Sequence, residues 1–548
     1  MKKTKTTYHY EPLSNSTTQF RLLKLLPGKD DEELKCKLEV HFRRSSGKGA
    51  ATPSYCAISY VWGPELETPP TIRCHERRVE IQPSLEDALR RLREKSGSQY
   101  LWTDAICIDQ GNEDEKKSQI LEMGSVYQDA TKVYVWLGTN DREDAFTLMN
   151  HLGDRMERDD DKFRKAAENC RSKQWEALSK LLKNDWFERV WTLQEICLAS
   201  RGLVMSGINE VEWARFVSIC RRLHATCRKL RHKHDLRFYR VLRTDVDFRT
   251  GHEGPGYLLK LVRTRKCKEP IDRIRGILGH NFFRQFQRDH GHPFIRPEYL
   301  RTEITEFDHE VTQQLLKLPE PLYILSLVQQ EKDKDKDTMC NYTHPSWVPR
   351  FKQGTDVSTL ADETKRDGSW NAGGKSTLGR LFPQQNVLDV KGVEVDSIEW
   401  QSEKITNRLK NGDSNDLVKS IWQKMKEVSG DKKKEKDLFR EFCEIFYLEN
   451  HFSNRERSQE SYPDTNRQMA HCLAYFADNK IDQSCVKRLR NKYPDGIAEE
   501  FFPDVLHHCR NRRFVVTQKK GYLGLAPEVS RASPDGKGDK SSPFPTET

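Results

Sequence analysis

The stretch Asp185–Ala199, Asp-Trp-Phe-Glu-Arg-Val-Trp-Thr-Leu-Gln-Glu-Ile-Cys-Leu-Ala, constrains this chain more than any other. Apolar groups stand at 186, 187, 190, 191, 193, 196, 197 and 198. They occupy more than one helical face, so a helix here must be covered by protein on most sides. Glu195 sits in the middle of it. Positions 191, 192, 198 and 199 flank Glu195 at helical spacing, and none carries a formal charge. A carboxylate in such surroundings must be paired, shifted in pKa or used. The plainer alternative is a surface glutamate that turns outward or pairs with Arg189 or Arg201.

The segment before it alternates between two kinds of pattern. Tyr-Cys-Ala-Ile-Ser-Tyr-Val at 55–61 reads as a short buried strand ended by Trp62-Gly63-Pro64. Thr71–Cys74 and Arg78–Ile81 read as a hairpin around His75-Glu76. Pro83-Ser84 opens a helix with Leu85, Ala88, Leu89 and Leu92 on one face. Tyr100–Ile108 reads as a second buried strand, with Asp104 inside it and Asp109 opening the polar loop that follows. A helix with Ile120, Met123 and Tyr127 on one face leads to a third strand at 131–137, ended by Gly138. Helices are expected over about 142–158 and 173–199. Such alternation predicts an α/β fold, a parallel sheet flanked by helices on both faces. Ligands in sheets of this kind bind beyond the carboxyl ends of the strands. Here the loops concerned begin at Trp62, Asp109 and Gly138, and Asp104, Asp109 and Glu195 are three acids near one sheet edge.

Composition narrows the function classes. With 32% charged and 35% hydrophobic residues, the chain should carry long solvated insertions. A net charge of +10 over 548 residues is too modest to mark a nucleic-acid binder. Arg221–Arg249 is dense in cations, but it has few aromatics and no binding motif. It reads as a solvated helical face with Leu223, Cys227 and Leu230 turned inward. No stretch approaches the roughly 20 apolar residues of a membrane span, and no secretory h-region follows the basic N-terminus. The 14 cysteines form no C-x-x-C pair and read as reduced thiols. A cytoplasmic location is the expectation.

Gly373-Gly-Lys-Ser-Thr377 imitates a phosphate-binding loop, yet Ser369 stands where the pattern needs glycine and no buried strand precedes it. His507-His508-Cys509 and His232-Lys-His234 lack a second pair at zinc spacing, so no metal site is expected. There is no G-x-S-x-G turn, and Cys56, Cys107 and Cys197 lie inside apolar elements where a thiolate is disfavoured.

Five linked blocks then resemble one family. Tyr55–Gly63, Tyr100–Gln110, Met123–Tyr127, Val133–Gly138 and Trp186–Glu195 occur in the order of the fungal heterokaryon incompatibility (HET) domain. Later pieces, Asp272-Arg273 with Gly276–Gly279, Pro345–Pro349, Asn371–Gly374 and Arg512–Thr517 with Gly521–Gly524, are similar to large members of that family. The resemblance implies a role in fungal nonself recognition and regulated cell death. HET domains in turn look distantly like TIR domains, and Trp191 to Glu195 resembles the Trp-x-x-x-Glu step of the TIR box. By that likeness the sheet is TIR-like, Glu195 is catalytic and NAD is the substrate, with no bound cofactor. Ser59, Trp62, Gly63, Asp104, Asp109 and Trp191 are the substrate-binding candidates. Asp109 departs from the family, which more often has asparagine there, and the region after Pro527 reads as shortened.

The chemistry needs only one carboxylate. Cleaving the ribose–nicotinamide bond develops oxocarbenium character. The pyridinium leaves as neutral nicotinamide and needs no proton. Glu195 would stabilise the positive charge or orient the ribose hydroxyls. The alternative is a non-enzymatic adaptor that self-associates through its HET domain, with Glu195 a buried structural acid. A homo-oligomer and an upstream recognition protein are the expected partners, with no nucleic acid. The expected division is an N-terminal extension at 1–49, the HET domain at 50–210, a mainly helical region at 211–350, a mixed α+β C-terminal region at 351–529 and a tail at 530–548.

Overall fold

The computed structural model describes residues 8–295, apart from 30, 45–51, 65, 95, 141, 157–158 and 250–254. It then describes 304–317, 348–349, 381–382, 387–388, 396–403, 413–429, 435–445, 465–494, 496, 498, 512–519 and 521–527. The expectations for Asn371–Gly374, Gly373–Thr377, His507–Cys509 and the tail from Ser530 lie outside the described residues. The chain forms two compact units, Met1–Glu253 with Arg265–Phe294, and Gly254–Thr264 with Ile295–Thr548.

Among the described residues of the first unit, nine strands make one sheet: β1 (Gln19–Leu25), β2 (Lys35–Phe42), β3 (Cys56–Tyr60), β4 (Thr71–Cys74), β5 (Arg77–Glu80), β6 (Gln99–Trp102), β7 (Lys132–Trp136), β8 (Gly202–Ser206) and β9 (Asn209–Glu212). Their order is β5-β4-β2-β1-β6-β3-β7-β8-β9. The centre, β6-β3-β7-β8, is parallel, as the alternation led us to expect. Antiparallel pairs extend it on both sides, so the sheet is mixed. Residues 19–42, ahead of the expected boundary at 50, supply β1 and β2. β1 is nearly all buried, and its Arg21 is held by Glu115 at 2.6 Å, 94 residues away. The hairpin forms as read, with Ile72 opposite Val79 and His75 at φ 52.

Helices α1 (Pro83–Leu92), α2 (Asp104–Cys107), α3 (Glu113–Asp129), α4 (Glu143–Gly153), α5 (Asp160–Glu168), α6 (Ser172–Leu182) and α7 (Thr192–Cys197) connect the parallel strands. Two expectations need correction. Residues 100–108 are not one strand: β6 ends at Trp102, Thr103 is the N-cap, and Asp104 begins α2. The helix expected over 173–199 is three pieces. α6 ends at Leu182, a 3-10 turn covers Asp185–Glu188, and α7 starts at Thr192. Asn184 makes the break, because its side chain caps Trp186 N at 3.0 Å and donates to the Leu137 carbonyl at 2.9 Å. α6 closes through the Lys183 N–H, and the Asn184 side-chain oxygen starts the next turn.

The first unit continues past 210. α8 (Trp213–Thr226) packs Trp213 against Trp186 at 5.8 Å and stacks Phe216 on Phe187 at 6.1 Å. Leu223 and Cys227 are buried and Leu230 is packed on the core, as the spacing implied. The cations of this stretch meet carboxylates, Arg222 with Asp160 at 3.0 Å and Arg240 with Glu188 at 2.6 Å. In the second unit, helices at Asp413–Ser429, Glu435–Ile445, Thr465–Asp478 and Gln483–Arg490 surround a core of residues such as Trp422, Phe442 and Phe476. Strands Ile398–Gln401, Arg512–Thr517 and Leu523–Pro527 form a second sheet beside them. That is a mainly helical α+β arrangement.

Candidate functional site: a buried glutamate at the sheet's switch point

In the parallel centre, β3 comes first in the chain, β6 pairs on one side of it and β7 on the other. The crossover therefore reverses at β3, and the carboxyl ends of β3 and β7 flank a topological switch point. Ser59 and Tyr60 lie at that end of β3, opposite Val135 and Trp136.

Glu195 enters this place from α7. It is 3% exposed, so it turns inward rather than to solvent. The Ser59 hydroxyl donates to its Oε2, and the Trp186 indole donates to Ser59 Oγ at 2.7 Å. The acid, the hydroxyl and the indole thus form a relay of three groups from one strand, one helix and one turn. Burial pushes the Glu195 carboxyl up to about 7. The Arg189 charge and the Ser59 hydrogen bond pull the other way, and the Asp104 charge adds to the rise. Arg189 is the nearby cation, but its guanidinium donates to the Tyr60 carbonyl, not to the carboxylate. Arg201 takes no part and pairs with Glu212 at 2.6 Å.

Asp104 is the second acid. Its carboxylate accepts from the Trp62 indole at 3.1 and 3.3 Å and from Ala105 N at 2.8 Å. Burial raises its pKa, with Arg189 the largest opposing influence. Trp62 is half-buried and Gly63, beside it, is exposed at φ +78, a conformation that favours glycine. Ser59, Trp62, Asp104 and Glu195 are therefore brought together.

Asp109 and Trp191 are placed elsewhere. The Asp109 side chain accepts from Gly111 N at 3.0 Å and closes a turn, while its backbone N–H donates to Glu115 at 2.9 Å. An asparagine oxygen could accept that bond equally well. The half-buried Trp191 indole donates to Asp272 at 3.3 Å, and Arg275 faces the other oxygen of that carboxylate at 3.3 Å. Neither residue makes a side-chain hydrogen bond to Glu195 or Asp104 among the described residues.

Sequence reasoning did not single out what holds the site together. Arg265 donates to the carbonyls of Phe187 and Arg189 at 3.3 and 3.1 Å and to Arg243 O at 2.8 Å. Lys266 N donates to Glu188 O at 2.7 Å, and Lys266 O accepts from Val190 N at 3.0 Å. These contacts clamp the turn between the two helical pieces, and only their distance in sequence hid them. Trp186 was visible as apolar, but not as the donor to Ser59.

Residues 55–195 match the heterokaryon incompatibility protein (HET) family. The HET match begins four residues before Ser59 and closes on Glu195, so it contains all three groups of the buried relay. Over 95% of its length the chain is also 22% identical to heterokaryon incompatibility protein 6, OR allele, of Neurospora crassa, of which 89% is covered. An alignment of 153 positions is 28% identical to the vegetative incompatibility protein HET-E-1 of Podospora anserina, covering 26% of this chain and 9% of that protein. No solved structure matches the chain. Among the described residues no helix is long and apolar enough to cross a membrane.

Proposed function

We propose that the chain is a heterokaryon incompatibility protein, acting in fungal nonself recognition and regulated cell death, and that its HET segment cleaves NAD at the ribose–nicotinamide bond in the manner of TIR enzymes. One observation carries the chemical part of the reading: Glu195 is a buried carboxyl at the switch point of a parallel sheet, tuned to about 7 and oriented by Ser59. A carboxyl with that value is ionised for much of the time at neutral pH, and it sits in a water-poor place where its field is weakly screened. In the proposed reaction the C–N bond to nicotinamide breaks with its electron pair going to the pyridinium nitrogen. Glu195 faces the cationic ribose carbon, Ser59 fixes the carboxylate, and a water molecule supplies the hydroxide and releases one proton. Trp62 and Gly63 line the approach, and the second acid, Asp104, adds negative potential. Asp109 keeps a turn in place, and Trp191 anchors the N-terminus of α7.

A second reading is favoured by the depth of Glu195. At 3% exposure and with its hydrogen bond made, it could serve as a structural acid in a HET segment that signals by self-association. The two readings part on Glu195→Gln, which keeps the shape and removes the charge. Expression of wild type and variant at matched levels should lower cellular NAD and kill cells with wild type alone. Death with both proteins and steady NAD would overturn the enzymatic reading in favour of the adaptor.

A further inference from the structure

A cavity of about 480 Å³ lies in the first unit, away from the Glu195 group, between the end of α3, the residues after α7, the Phe248–Arg249 turn and the helix Asn281–His290. Its volume falls within the range of small-molecule sites. Three arginines, Arg249, Arg284 and Arg288, line it with a single carboxylate, Asp129. That is a local excess of two positive charges.

Many arginines of the same unit are ion-paired, although Arg93 and Arg189, like the three around the cavity, donate to neutral carbonyls. Arg21, Arg90, Arg201, Arg215, Arg221, Arg222 and Arg240 each meet a carboxylate directly. The guanidinium groups around the cavity meet only neutral acceptors among the described residues. Arg249 donates to the Leu198 carbonyl at 2.7 Å. Arg284 donates to the Gln128 side chain. Arg288 donates to Gln285 at 2.6 and 3.2 Å and to Asn281 at 3.4 Å. Burial lowers the pKa of Arg284, and the Glu122 and Asp129 charges offset this only in part, which is the mark of a cation losing water without gaining a full counter-charge. Asp129 responds in the opposite sense: burial raises its pKa and the Arg44, Arg284 and Arg43 charges only partly offset this.

We infer that this cavity binds a small phosphate-bearing anion, through the forked donors of Arg249, Arg284 and Arg288. Guanidinium groups match phosphate oxygens two at a time, and a di- or polyphosphate presents enough charge to engage three of them. The neutral backbone and side-chain acceptors now holding the guanidiniums keep their planes in place, so little ordering is needed on binding. Asp129 selects against a weakly charged anion, because an entering ligand must outweigh it. The site rests on different residues from the proposed NAD chemistry, so each can fail alone.

The test is calorimetric titration of the full chain with inorganic pyrophosphate, and with sulfate at equal ionic strength. Wild type should bind pyrophosphate more tightly than sulfate. Arg249→Gln and Arg288→Gln, both at exposed positions, should each weaken it about tenfold, the size of one charge-assisted hydrogen bond. Arg284→Lys should fold, keep a charge and still lose affinity, because the fork is gone. Arg164→Gln, on the exposed face of α5, should bind as wild type. Absence of pyrophosphate binding by wild type, or equal binding by wild type and all three cavity variants, would overturn the inference.

Discussion

Glu195 shows how much one buried group can govern. In the unfolded chain its carboxyl titrates near the ordinary value of 4.5, and in the folded protein near 7. Between those values the folded state holds the extra proton, so stability is full below about pH 4.5 and falls as pH rises to about 7. The difference corresponds to roughly 3 kcal/mol. The groups that act on the carboxyl are Ser59, Arg189 and Asp104, and its charge is felt in turn by Tyr60 and Tyr127. Glu195→Gln cannot ionise. Its stability relative to wild type should therefore rise by roughly 3 kcal/mol between pH 4.5 and pH 8, read from urea unfolding at each pH. A difference independent of pH would mean that the carboxyl is not held neutral by the fold. The same pKa implies that any activity needing the ionised form rises with pH through about 7.

At the scale of elements, the site depends on how closely α7 lies on the sheet. Gly202 of β8 has no room for a side chain: an added Cβ would collide with Ile196 Cδ1 and stand 2.8 Å from Trp213 Cβ. Gly202→Ala should push α7 off β8 and cost roughly 1–3 kcal/mol, with a matching fall in the thermal midpoint; an unchanged midpoint would show that α7 yields freely. Such close approaches explain what was legible in the sequence and what was not. The strands at 55–61 and 131–137 and the helix from Pro83 could be read because a local period encodes them. The apolar excess of 185–199 did signal burial, but a 3-10 turn followed by a short buried helix gives the same excess as one continuous helix. The breaks fall at Thr103, whose carbonyl accepts the first helical N–H groups of α2, and at Asn184, whose side chain caps the turn, and the apolar pattern carries neither. β1 escaped because Arg21 interrupts its apolar run, and its partner Glu115 lies 94 residues on. Of the candidate residues, Ser59, Trp62, Asp104 and Glu195 meet, while Asp109 and Trp191 have local partners that spacing alone could not reveal.

At the scale of the whole molecule, the sheet unit is larger than the HET match within it. It runs to Glu253 and resumes over Arg265–Phe294, and the aromatic contacts of α8 and the clamp of Arg265 close the turn that carries Glu195 into the site. A fragment ending at residue 210 would bare Trp186 and Phe187 and lose every donor of Arg265. It should show no cooperative unfolding transition, whereas the full chain should; a sharp transition in the fragment would mean that α8 and Arg265 are dispensable. The catalytic account therefore has to be tested on the intact chain. The most direct measurement is nicotinamide release from NAD by the purified full-length protein, wild type beside Glu195→Gln, from pH 5.5 to 8. The account expects release by wild type that climbs with pH through about 7 and falls about a hundredfold or more in the variant, the scale of a lost electrostatic contact in a dry site. Equal release by both proteins, or none by wild type at any pH, would contradict it.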